Sequence, residues 1–285
     1  MRFKQRLLTA TVALLSMPAW AAAESLTIFD IPGAFSTFAT GINNRGEIVG
    51  TFTESQFGNT RGYVFRRDAV TILEIPGQTS VVPMCINDRG QIVGFSAPGP
   101  RGFLWDDGVV TSITVPGASQ TVLHGINNDG QILGHSRQDL FALARAFLWA
   151  DGQFTFLDVP GVLPVVASAT EASMGFNDRG QIVGPVQSGG RQHGFLLDNG
   201  ELTLIDVPDA THTLASGINN RGQIVGVYHV VGDQGIYLRH PDGSFTLIDI
   251  PGASSIHRVT ISDRGAIAGS FTDTAGTIHG FLWTR

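Results

Sequence analysis

From Leu26 onward the chain runs in short apolar stretches broken by Gly, Asn, Asp and Pro. No segment sustains a 3.6-residue apolar period, so the stretches predict strands rather than helices. One phrase organises them: Gly41-Ile42-Asn43-Asn44-Arg45-Gly46-Glu47-Ile48-Val49-Gly50. It returns at Ile86-Asn87-Asp88-Arg89-Gly90, Ile126-Asn127-Asn128-Asp129-Gly130 and Phe176-Asn177-Asp178-Arg179-Gly180. The last copies are Ile218-Asn219-Asn220-Arg221-Gly222 and Ile261-Ser262-Asp263-Arg264-Gly265. Successive turn glycines lie 44, 40, 50, 42 and 43 residues apart.

Each copy resolves into four strands, a to d. Strand a ends at the Ile-Asn pair, and a turn follows whose Gly suits the left-handed position of a bulged hairpin. Strand b carries Ile-Val-Gly. Strand c is Gly62-Tyr63-Val64-Phe65, Gly102-Phe103-Leu104-Trp105 and their equivalents, and strand d is Thr71-Ile72-Leu73-Glu74-Ile75 and its equivalents. Pro-Gly then ends strand d, because proline cannot donate to a ladder. The c–d hairpins centre on Asp107-Gly108, Asp151-Gly152 and Asn199-Gly200, dipeptides that favour two-residue turns. This sets Arg101 opposite Thr114, Arg145 opposite Asp158 and His193 opposite Asp206.

A period of roughly 40–45 residues with four strands is that of a propeller blade. The chain ends on a strand c, Gly280-Phe281-Leu282-Trp283, and an unattached strand d, Leu26 to Ile31, precedes the first copy. Pairing the two closes a ring and removes both raw edges. The expected fold is therefore all-β: one six-bladed β-propeller domain over residues 24–285, with four antiparallel strands per blade and the N-terminal strand closing the last.

At the start of strand c the copies read His193-Gly194-Phe195, His279-Gly280-Phe281, Arg145-Ala146-Phe147 and Arg101-Gly102-Phe103. Together with the Asn-Asp-Arg-Gly-Gln-Ile-Val-Gly phrase, this resembles the bacterial extracellular HAF repeat, named for His-Ala-Phe. No copy here reads His-Ala-Phe in full, and half carry Arg first. The resemblance implies export and a repeat fold; it brings no catalytic residue.

The first residues read as an address label. Arg2, Lys4 and Arg6 precede an apolar stretch, Leu7 to Leu15, and Ala21, Ala22 and Ala23 fit a small-residue cleavage site. Cleavage after Ala23 leaves 262 of 285 residues and a secreted or periplasmic protein. It takes away three of 18 Lys+Arg, leaving 15 against 24 Asp+Glu, a net charge of −9 that disfavours nucleic acid as a partner. Lys4 is the only lysine, which excludes Schiff-base and P-loop chemistry in the mature chain. Cys85 is the only cysteine, so no internal disulfide forms. No later stretch is long and apolar enough for a membrane helix, and a monomer is expected.

Residues common to all copies build the blades, so function is sought where copies differ. Arg61, Arg101, Arg145, His193, Gln234 and His279 at the start of strand c face Glu74, Thr114, Asp158, Asp206, Asp249 and Asp30, and read as cross-strand scaffold pairs. The Asn/Asp turns lack the alternating oxygen ligands of calcium loops. Cys85 occupies a small-residue position of strand a and reads as an inert thiol. No Gly-x-Ser-x-Gly elbow is present. The d–a and b–c connections share the other face and vary in length. There Glu171, His212, His257 and Arg258 lie in or before strand a, and His135, Arg137, Tyr228 and His229 at or beyond the end of strand b. His257 replaces a core aliphatic and calls for a partner. His124 and His240 lie near the short turns, where no site is expected.

Two functions follow. The leading one is an exported binding and recognition module for a glycan, a peptide or an envelope protein, with Arg258, Tyr228, His229, His135 and Arg137 as binding residues. The other is a lyase or hydrolase. There His212, His257 and Glu171 act as bases or ligands of a divalent metal, and Arg258 holds an anion. No cofactor is required by the sequence.

Overall fold

The structure is a computed structural model that describes residues 7–9, 11–15, 24–66, 69–99, 101–139, 142–157 and 174–285, the first two segments by their backbone alone. The described residues are all strand and turn. Four separate four-stranded antiparallel sheets are built by Ser80–Ile113, Gln120–Phe156, Gly175–Ile205 and His212–Ile248. Each follows the a–b–c–d order of one repeat. No helix among the described residues is long and apolar enough to cross a membrane.

The six separate blades expected from the repeats are not seen as such. The strands of the first and last repeats run together in one ten-stranded sheet. The join is a single parallel bridge between Ile278 and Ser36. Leu7–Thr9 and Thr11–Leu15 add the two extra strands, against Ala69–Leu73 and Ser25–Asp30. Within that sheet the N-terminal strand Ser25–Asp30 lies antiparallel to Ile278–Thr284 over five residue pairs, as the fourth strand of the last repeat.

Apolar side chains fill the spaces between repeats. Among the described residues there are six such clusters, and each spans two consecutive repeats. One of them joins Phe29, Ile31 and Ala268 of the last repeat to Ala39, Ile48 and Tyr63 of the first.

The repeated phrase now has physical causes. The Ile-Asn asparagine is buried and caps its own turn: Asn43 Oδ1 accepts from the backbone N–H of Arg45 and Glu47, and Asn87, Asn127, Asn177 and Asn219 do the same. The turn Gly is left-handed at all six sites, from φ 74° at Gly46 to 87° at Gly265. In five of the six repeats the glycine at the Ile-Val-Gly position lies beneath an aromatic ring of strand c, and at Gly94 the neighbours are the Val82 carbonyl and Pro83. At Gly226 an added Cβ would meet the Leu214 carbonyl oxygen and the Tyr237 ring, the latter at 2.8 Å.

The c–d hairpins follow the expected register in three repeats. Asp107, Asp151 and Asn199 have φ of 44°, 51° and 49° ahead of left-handed glycines, and Gly102 pairs with Ile113 and Gly194 with Ile205. The fifth repeat departs. Its turn, Pro241-Asp242-Gly243, holds three residues between His240 and Ser244. Ile236 therefore pairs with Ile248, and Gln234 does not face Asp249.

The scaffold reading of the strand c ring fits three of its pairs. Arg61 Nη2 lies 3.6 Å from Glu74, His193 Nδ1 2.8 Å from Asp206 and His279 Nδ1 2.9 Å from Asp30. Asp158 lies outside the described residues; the Arg145 guanidinium sits 4.4 Å over the Phe156 ring.

His279 also reaches Asp273 at 3.3 Å through Nε2, so two carboxylates hold one imidazole where the N-terminal strand joins the last repeat. Partial burial works against its charged form, but the hydrogen bonds and charges of Asp30 and Asp273 outweigh it and hold its pKa above the ordinary value. A raised pKa stabilises the fold at pH below the unfolded imidazole value, and that stability is lost as pH rises through the folded one. His279→Gln should therefore lower the melting temperature more at pH 5.5 than at pH 8.5. Equal losses at both values would remove the charged pair from the account.

Candidate functional site

The six strands a stand side by side around the axis. They come close together at the small-residue position that holds Gly41, Cys85, Gly125, Gly175, Gly217 and Thr260. A Cβ on Gly41 would lie 2.9 Å from the Cys85 Cα, and one on Gly217 3.1 Å from the Thr260 Cα. Cys85 is a free, half-buried thiol lining the axial channel, and burial pushes its pKa up. That fits the inert reading.

At the short-turn end the residues after the five capping asparagines and Ser262 alternate: Asn44, Asp88, Asn128, Asp178, Asn220, Asp263. They form a hydrogen-bonded circuit. Asn44 Nδ2 donates to Asp88 Oδ2 at 2.7 Å and to Asp263 Oδ2 at 2.8 Å. Asn128 bridges Asp88 and Asp178 in the same way, and Asn220 bridges Asp178 and Asp263. The alternation is visible in the sequence, but its role needs the turns to be brought together. It is the ring's fastening at this end.

Above this ring the axis is lined by residues of the β-bulges in strand a. The bulges fall at Thr40, Met84, His124 and Ser216 in four repeats. In the last repeat the shift falls earlier, between Ile256 and Val259, so His257 and Arg258 occupy it. Arg258 points into the channel, and its Nη1 reaches Met84 Sδ two repeats away at 3.7 Å.

The candidate residues are not gathered at one point. His212 pairs directly with His229, their rings 6.3 Å apart, and the backbone N–H of Gln192 donates to His212 Nδ1. Burial, then the neighbouring His212, lowers the His229 pKa. Tyr228 lies over Gly235 on the next strand. His257 finds its partner in Thr272, Nε2 to Oγ1 at 2.8 Å, and tilts against Phe38. Glu171 lies outside the described residues. Among the described residues no three His, Cys, Asp or Glu side chains are grouped to hold a metal ion.

His135 and His124 differ from expectation. Neither is at a surface: they are 1% and 0% exposed, and His124 Nε2 lies 2.7 Å from His135 Nδ1. Their strands pair so that both rings turn inward, with Arg137 alongside, its Nε buried. Burial holds the His124 pKa well below the imidazole range and brings His135 down to about 4. Both are neutral. His240 sits at a short turn against Thr246.

No family model matches the chain, and no curated protein matches it. Solved structures do. A catalytically inactive virginiamycin B lyase from Staphylococcus aureus, with quinupristin, is similar with a TM-score of 0.55 at 13% identity, over 92% of this chain and 99% of that one. A gluconolactonase from Xanthomonas campestris is similar with a TM-score of 0.56 at 12% identity, over 97% and 96%. Regucalcin, a calcium-binding protein from Agrobacterium tumefaciens, gives 0.53 at 14%, over 89% and 91%. At these identities the likeness is one of fold: the chain is a β-propeller.

Proposed function

We propose that this protein is an exported binding and recognition module whose ligand, a glycan, a peptide or an envelope protein, docks on the face made by the d–a and b–c connections. One observation carries this reading. Among the described residues, of the large apolar side chains left exposed, Phe35, Phe57, Leu143 and Val231 all stand on those connections, Phe57 and Val231 at 93% exposure. The other three, Val109, Leu204 and Leu247, lie on the outermost strands, and none lies in the short turns. Apolar side chains held in water on one face of a rigid scaffold favour a contact surface. Their character favours a peptide or protein over a sugar. His212, His229 and Tyr228 supply polar groups in the fifth repeat, which also carries Val231.

The fold does not choose the chemistry. Propellers of this kind include a lyase, a gluconolactonase and a calcium-binding protein. The lyase or hydrolase reading needs several candidate side chains at one point, and the described ones stand apart.

The working unit in this proposal is a closed six-bladed ring. The apolar cluster between the last repeat and the first supports it, as do the strand pairing at Ser25–Asp30 and the Asn/Asp circuit. Export follows from the leader, with cleavage after Ala23 and release as a monomer. Membership of the HAF-repeat family is part of the same reading.

Phe57→Asp with Val231→Asp should abolish binding to envelope proteins and to arrayed glycans that the wild type retains, with melting unchanged. Val109→Asp with Leu247→Asp, on the outer strands, should bind as wild type. Equal behaviour of the two double variants would sink the docking face.

A further inference from the structure

Among the described residues, one charge at the axial channel makes no ion pair. Arg258 has no carboxylate partner among the described residues. Its Nη1–H donates only to the Met84 sulfur, a weak acceptor, and its Nε is closed off from solvent with no partner. Burial brings its pKa down to about 10, so the group is still charged at neutral pH. Arg258 is half-buried with its Nε closed off, and a guanidinium partly withdrawn from water gains from a compensating charge. The carboxylates that line the same channel, Asp88, Asp178 and Asp263, belong to the Asn/Asp circuit and are held by its asparagines. Asp263 is five residues along the strand from Arg258, roughly 16 Å of extended chain.

A second group faces the same channel. His124 lines it, is wholly buried, and its Nδ1 has no partner. Its Nε2 shares a proton with His135 Nδ1. Both rings are neutral, so each carries one N–H. If His135 Nδ1–H donates to His124 Nε2, the remaining hydrogen of His124 must sit on Nδ1, where it is a free donor. The whole channel, from the Asn/Asp circuit to the bulges, has a volume of about 80 Å³. At about 30 Å³ per water, that is room for two or three waters or one small ion.

We propose that this channel holds a small monovalent anion, a halide or a carboxylate group, between the Arg258 guanidinium and the His124 Nδ1–H. The anion supplies the missing counter-charge and an acceptor for both donors. It fixes the histidine tautomers and ties the last repeat to the third across the axis. The site is independent of the docking face and stands even if that face binds nothing.

Chloride is the probe. The folded wild type should broaden the chloride-35 resonance saturably, and Arg258→Met, close to Arg in length and uncharged, should lose that excess width. Formate titrated at constant ionic strength then distinguishes the sources. Displacement of chloride assigns the site to carboxylates as well as halides, and no displacement assigns it to halides. No excess width with the folded wild type, or equal width with Arg258→Met, overturns the proposal. Should Arg258→Met fail to fold, bromide-soaked wild-type crystals decide: an anomalous peak between Arg258 and His124 supports the site, and its absence refutes it.

Discussion

A chain expressed from Pro32 should melt roughly 10–20 °C lower than one expressed from Glu24, or lose its cooperative transition. The strand removed, Ser25–Asp30, makes five residue pairs with Ile278–Thr284. It also carries Phe29, and Ile31 follows it; these are 2% and 1% exposed in the cluster between the last and first repeats. Each buried side chain of this kind contributes about 1.5–3 kcal/mol. Two of them alone amount to about 3–6 kcal/mol, against a total stability of about 5–15 kcal/mol for a typical domain. At about 2–4 °C per kcal/mol for a chain of this size, the shift follows. The truncation also strips His279 of Asp30 and leaves the last strand as a bare edge open to self-association. Calorimetry and light scattering of both chains would test this. A truncated chain that melts with the longer one and stays monomeric would mean that the N-terminal strand does not close the last repeat.

That closure was legible because it depends on strand order alone, and order is written along the chain. So were the two-residue hairpins at Asp107, Asp151 and Asn199, where turn chemistry is local. What the sequence concealed depends on which way a side chain points. The sixth small position of strand a is Thr260, aligned correctly from the repeat, yet the bulge before it is displaced, and this sends Arg258 to the axis. His124 and His135 stand eleven residues apart, at positions that the repeat puts at opposite faces; the bulge at His124 lets the two rings meet. A two-residue turn would set Gln234 opposite Asp249; the three-residue turn moves the register by one. The Asn/Asp alternation was in plain view, but its meaning appears only when six turns converge. Six blades followed from counting repeats; four stand as separate sheets because one bridge between Ile278 and Ser36 links the first repeat to the last.

Gly226→Ala should cost about 3 kcal/mol or more, far beyond the usual penalty for a strand glycine gaining a methyl. Elsewhere the exchange of Gly for Ala in extended backbone is mild or stabilising, because it narrows the unfolded ensemble. Here the methyl group has no room. It would meet the Leu214 carbonyl oxygen, and the Tyr237 ring at 2.8 Å. The carbonyl belongs to the backbone just before a bulge, and Tyr237 is fully buried. Neither can rotate away, so the strain passes into the packing between the fourth and fifth repeats, where Tyr237 joins Val183 and Ile224. Overpacking of a dense core costs about 1–3 kcal/mol, and a clash with fixed backbone lies at or above the top of that range. Gly125→Ala supplies the contrast. Its nearest neighbour, the Phe176 Cβ, is 3.3 Å away, and its backbone is not left-handed, so a few tenths of an ångström of adjustment suffices. Urea melts of the two variants should separate them by at least 2 kcal/mol, given the overpacking range above. If they unfold at the same midpoint, the Ile-Val-Gly glycine answers to something other than the ring that lies over it.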